Sequence, residues 1–120
     1  MTEPLTYQNV VQRFQSAVPE LSDHADAFYE DLPHDAFGTW TLALIKLLQH
    51  SSVDGNLLQK VADFLDAMAE SPDKEVVNLL EVSVLEILAD DEACIGRIEP
   101  RLGELARAHL DRVRQGGFPM

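Results

Sequence analysis

Apolar residues recur along this chain mostly at three- and four-residue spacing, and prolines and glycines divide the pattern into pieces of helical length. Between Asp54 and Ser71, Leu57, Leu58, Val61, Phe64, Leu65 and Met68 form one stripe while Gln59, Lys60, Asp63, Asp66 and Glu70 fill the other side, which predicts an amphipathic helix. Thr6 to Ala17 repeats the pattern through Val10, Val11 and Phe14, with Thr6 as the expected N-cap. A short helix is expected from Ser22 to Asp31. Asp35 to His50 and Pro72 to Ala89 are apolar around most of their circumference, so both are predicted as central helices packed on two sides. The β-branched run from Val76 to Ile87 lacks strict alternation and is longer than an ordinary strand, so it too reads as helix. A turn or short helix should follow to Ile98, and a last helix should run from Pro100 to Gln115 through Leu102, Leu105, Ala106, Leu110 and Val113.

The expected fold is therefore all-α. Residues 1–33, 34–71 and 72–115 each hold two helical stretches, which suits either a HEAT- or armadillo-like stack of helical hairpins or an irregular helical bundle. One domain is expected over 1–115, with Gly116-Gly117-Phe118-Pro119-Met120 as a helix stop and flexible tail. Expected core residues are Phe37, Trp40, Leu44, Leu47, Phe64, Leu65, Leu80, Val84 and Leu88.

At 120 residues the chain is long enough to bury a core without disulfide or metal, and its single Cys94 permits no internal disulfide. The opening Met1-Thr2-Glu3-Pro4 is acidic, no signal-peptide core follows, and no apolar run approaches the roughly 20 residues that span a bilayer. A cytoplasmic location is expected, with no membrane contact.

Charge adds the most to this picture. The chain carries 21 acids and 9 bases, net −12, and the excess is concentrated: residues 1–96 hold 18 acids and 4 bases, while residues 97–120 hold 3 acids and 5 bases. Such a surface repels phosphate backbones and anionic membranes, so nucleic acid is not an expected partner. Asp23, Asp26 and Glu30 stand at i, i+3 and i+7, as do Asp63, Asp66 and Glu70, so each set would line one helix stripe. A single acidic stripe is ordinarily a solvated face. Here, however, six acids and no base lie between Arg13 and Lys46, which leaves the first stripe without local compensation. These six carboxylates are the candidate binding residues for a basic protein partner, whose charge would relieve their mutual repulsion and speed encounter.

Catalytic and metal chemistry finds little support. His24, His34, His50 and His109 are scattered, no His-x-x-x-His, Cys-x-x-Cys or paired Glu-x-x-His occurs, and there is no Gly-x-Ser-x-Gly, phosphate loop or Rossmann glycine pattern. No metal, no cofactor and no enzymatic activity are expected. Asn78, Glu81, Ser83 and Glu86 interrupt the most apolar helix, where they would cap turns or edge into solvent; an acid buried there would need a cation such as Arg97, Arg101 or Arg107. His34, at a helix start, is expected to be a cap or turn residue.

The stretch Phe64-Leu65-Asp66-Ala67-Met68, then Asp73 to Glu86, together with Leu32-Pro33-His34, Phe37 and Trp40, resembles a family of small bacterial helical proteins, some of which are similar to immunity proteins of polymorphic toxin systems. The resemblance covers about residues 10–95. It supplies no active-site residues and implies a role by binding: an immunity or antitoxin-like protein that neutralises a basic toxin domain, a nuclease for instance. The alternative is a generic helical interaction module with no toxin partner.

Overall fold

A computed structural model describes residues 4–24, 33–50 and 55–115, without the side chains of 22–24 and 50. These residues form α1 (Val10–Ala17), a 3-10 turn (Pro19–His24), α2 (Pro33–His50), α3 (Gly55–Ala69), α4 (Lys74–Leu80), a π turn (Glu81–Leu85), α5 (Glu86–Ala89), α6 (Glu92–Ile98), a second 3-10 turn (Glu99–Arg101) and α7 (Glu104–Arg114). No strand occurs among the described residues, and the fold is all-α. Contacts run from α1 to α2 and α3, and from these to α4–α7, so three helical units touch mainly in sequence order. With only three units, a hairpin stack and a bundle share this contact pattern.

Local chemistry explains where the helices begin. Thr6 Oγ1 accepts the Asn9 N–H at 3.3 Å and Asn9 Oδ1 accepts the Thr6 N–H at 2.8 Å, a reciprocal capping box that closes the turn leading into α1. Regular helix therefore starts later than the apolar pattern suggests, at Val10. Asp73 caps α4 by accepting the Glu75 N–H at 3.0 Å, and Asp91 caps α6 by accepting the Cys94 N–H at 3.0 Å. Each has a second carboxylate oxygen turned to a distant segment: Asp73 Oδ2 takes the Tyr7 N–H at 2.8 Å, and Asp91 Oδ2 takes Gln49 Nε2 at 3.0 Å. One side chain thus starts a helix and ties it to an earlier unit, the first for Asp73 and the second for Asp91.

The core is centred on aromatic rings. Trp40 stacks on Phe14 with centroids 4.3 Å apart, Phe64 meets Phe14 edge-on at 5.2 Å, and Phe37 meets Trp40 edge-on at 5.5 Å, which brings α1, α2 and α3 together through one cluster. Of the expected core residues, Phe37, Trp40, Leu44, Phe64, Leu65, Leu80, Val84 and Leu88 are buried. Leu47 is not: it is 37% exposed, and Leu42 on the other side of α2 is 52% exposed. Periodicity fixes a side chain's direction from the helix axis but not how far neighbouring helices extend beside it.

The segment predicted as one helix from Pro72 to Ala89 is continuous but contains the π turn. Val76, Leu80, Val84 and Leu88 are all fully buried, and in an ideal α-helix each four-residue step overshoots a full turn by about 40°. The wider π turn absorbs part of that drift and keeps the four on one face. The helix expected from Ser22 to Asp31 is replaced at its start by the 3-10 turn Pro19–His24, and residues 25–31 lie outside the described residues, as does the expected tail at 116–120.

Candidate functional site

The six candidate carboxylates meet different fates. Asp23 belongs to the 3-10 turn, its side chain outside the described set, and Asp26 and Glu30 are also outside it. On α3, Asp63 is exposed and accepts Gln59 Nε2 at 2.8 Å. Asp66 is half-buried and accepts the Gly103 N–H at 2.8 Å, where Gly103 is the N-cap of α7. Glu70 is exposed and lines an open groove of about 210 Å³ with Pro4, Leu5, Arg13, Ala67, Ser71 and Pro72. The second stripe therefore divides into one carboxylate that holds the fold and two that face solvent.

What becomes of the cations matters as much. The C-terminal bases, which could have offset the acids, are largely engaged within the fold. Arg101 donates to Gln59 Oε1 at 3.1 Å, and Arg107 donates to the carbonyls of Glu99 and Pro100 at 3.2 and 3.1 Å. Arg114 grips both oxygens of Glu99 at 2.8 and 2.9 Å, a bidentate pair that holds the Glu99 carboxyl below its usual range. Lys60 is committed to Glu20 at 2.8 Å, which lowers that carboxyl also. Meanwhile Glu70, Glu86, Asp90 and Glu104 are exposed and form no ion pair among the described residues.

Two polar groups on the central helix behave differently from expectation. Glu81 is paired, but with α7: its Oε2 lies 2.8 Å from His109 Nδ1 and 3.8 Å from Arg112 Nε, not against Arg97, Arg101 or Arg107. His109 and Arg112 stand three apart, so α7 presents both on one side, a spacing visible in the sequence without any sign of its partner. Ser83 is buried, and its Oγ lies 2.6 Å from His34 Nδ1; Thr41 Oγ1 reaches the Ser83 carbonyl at 3.5 Å. His34 thus bonds across to the π turn from the start of α2, with Tyr7 tilted against its ring at 6.1 Å. A hydroxyl beside an imidazole is the beginning of a nucleophile–base pair, but no carboxylate among the described residues lies within 4.0 Å of the His34 ring to orient it. The arrangement pins the π turn to α2.

Cys94 is buried, and burial pushes its thiol up to about 12, so it is inert rather than nucleophilic. Among the described residues no group of three His, Cys, Asp or Glu side chains could hold a metal ion, and no helix is long and apolar enough to cross a membrane.

A family model for a domain of unknown function, DUF7674, matches residues 7–115. The chain belongs to the DUF7674 family. No curated protein matches the chain, and no solved structure does. The DUF7674 match begins at Tyr7, whose N–H is bonded to Asp73, and ends at Gln115, just past the last residue of α7. It thus takes in every helix described above.

Proposed function

We propose that this DUF7674 protein is an acidic helical binding module that docks a basic protein partner, and that the partner is a toxin domain which it neutralises. The observation that carries the reading is the unequal use of charge: most of the C-terminal arginines are engaged within the fold, while exposed carboxylates on α3, on the helix formed by α4, the π turn and α5, and on α7 form no ion pair among the described residues. Unpaired like charges repel each other in the free protein, and a basic surface relieves that repulsion on binding. The resemblance to immunity proteins supplies the toxin, and a nuclease is the class whose phosphate-binding surface carboxylates would cover.

The candidate partner-binding residues are Asp23, Asp26, Glu30, Asp63 and Glu70. Asp66 is set apart because its carboxylate holds Gly103. The test is co-purification of a basic partner followed by calorimetry at low and high salt. Charge reversal of Asp23, Asp26 and Glu30 together, and of Asp63 and Glu70 together, should weaken binding and flatten its salt dependence. Unchanged affinity in both sets rejects these residues as the interface. Failure to find any basic partner, with variants that are simply more stable, leaves an interaction module whose acidity serves solubility.

A further inference from the structure

The longest helix keeps an exposed stripe. α2 packs against α1, the 3-10 turn Pro19–His24, α4, the π turn, α5 and α6, with the Phe37 and Trp40 rings on its buried side. Its outer side carries Asp35, Thr39, Leu42 and Lys46, all exposed, and Leu42 is the most exposed large apolar side chain among the described residues. Neither Asp35 nor Lys46 forms an ion pair among the described residues. The four follow one another at spacings of four, three and four, the seam of a heptad pattern, so they stay in line over about 17 Å of helix.

We propose that this stripe is a homodimer contact, in which α2 of a second copy lies antiparallel across it and sets Lys46 of each copy against Asp35 of the other, and Leu42 of each against Thr39 of the other.

The stripe is complementary to itself. It has an acid at its N-terminal end, a base at its C-terminal end and an apolar residue between, so a two-fold axis crossing the helix matches unlike charges at both ends. A parallel pairing would set Asp35 on Asp35 and Lys46 on Lys46. In the antiparallel register each Leu42 faces the hole bounded by Asp35, Gly38, Thr39 and Leu42 of the other helix, the arrangement of knobs into holes. The Gly38 corner of that hole is open, since a Cβ built there would meet nothing within 4 Å. The Thr39 hydroxyl donates to the Asp35 carbonyl at 2.7 Å, which leaves its methyl group to meet Leu42. The stripe ends where Gln49, the next seam position, is held by Asp91. A basic partner would be repelled by Lys46 and an acidic one by Asp35; a second copy satisfies both. This contact goes beyond the toxin-binding reading and uses none of its residues. It is smaller than a standard interface, so the dimer is weak, with a Kd on the order of 0.1 to 1 mM. Each copy is net −12, but at about 0.15 M salt charges farther apart than about 8 Å are largely screened while pairs in contact are not.

Sedimentation equilibrium of the full chain at that salt, up to about 1 mM, tests the contact. The average mass should rise with concentration from 13.4 kDa toward twice that value. Asp35→Lys alone and Lys46→Asp alone each place like charges at both ends and should weaken the dimer at least about tenfold. The loss in Asp35→Lys is diagnostic, because that variant is nearer neutrality and an association governed by bulk charge would strengthen. An equimolar mixture of the two variant chains should restore dimers at the native affinity, as should the double variant by itself. A native chain that stays monomeric, a dimer that either single variant leaves unchanged, or a mixture that does not recover overturns the proposal. Asp35 lies in the first turn of α2, where a lysine opposes the helix dipole. Should Asp35→Lys fail to fold, Lys46→Asp and Leu42→Glu, both at exposed positions, carry the test: each should weaken the dimer at least about tenfold, and a dimer that either leaves unchanged overturns the contact.

Discussion

Asp66 Oδ1 accepts the backbone N–H of Gly103 at 2.8 Å, so a carboxylate in the acidic stripe of α3 receives the chain as it enters α7. A Cβ placed on Gly103 would come within 3.2 Å of that carboxylate, closer than an ordinary contact. Asp66→Ala removes a charge-assisted bond and should destabilise the protein by about 1–2 kcal/mol, whereas Asp63→Ala, three residues away and solvent-facing, should stay within about 0.5 kcal/mol. Thermal denaturation of the two variants checks the difference. Gly103→Ala should fall between them, because the carboxylate can give by a few tenths of an ångström.

Leu80 is fully buried on the rod formed by α4, the π turn and α5. Leu80→Ala should cost about 2–5 kcal/mol through lost transfer energy and the cavity left behind. A change below about 0.5 kcal/mol in urea unfolding would show that the residue is not packed.

Ser83→Ala leaves His34 Nδ1 without its hydroxyl partner in a part-buried setting. The expected cost is about 1 kcal/mol, read by urea unfolding, and the amides of 81–85 should lose hydrogen-exchange protection more than those of α3, since the pin acts locally.

With its thiol pushed up to about 12 and its side chain buried, Cys94 should not react with a disulfide reagent at pH 8 in the native protein. One thiol per chain should appear on unfolding in guanidinium. Rapid labelling of the native chain would contradict the burial.

Glu99 is held below its usual range by Arg114, so the folded protein favours the ionised form more than the unfolded chain does. The stability this contributes is present above the ordinary glutamate range and is lost as pH falls through the lowered value. Because both side chains are about a third exposed, the effect should be under about 1 kcal/mol. Glu99→Gln should destabilise the protein slightly at pH 7 and have no effect near pH 2, as measured by chemical unfolding at both.

Helical class and most of the core were legible from spacing alone, because an amphipathic stripe is a property of consecutive residues: α3 and the burial of Leu80, Val84 and Leu88 follow directly from it. The acid excess was equally plain, being a count. Which acids remain available was not. Asp63, Asp66 and Glu70 are alike as a stripe, yet Asp66 alone meets the N-cap of α7, 37 residues further along the chain. Asp73 and Asp91 likewise look like surface charge, but each caps one helix while bonding another segment.

Thus the local pattern of apolar and polar residues determined the all-α class, most helix positions and the placement of negative charge in residues 1–96. The partners of Glu81, Ser83 and Asp66, the π turn and the exposure of Leu47 were decided only by tertiary structure. The physical reason is range. Periodicity records which way a side chain points from its own helix, while a hydrogen bond or ion pair depends on what another helix, distant in sequence, brings within about 3 Å of it.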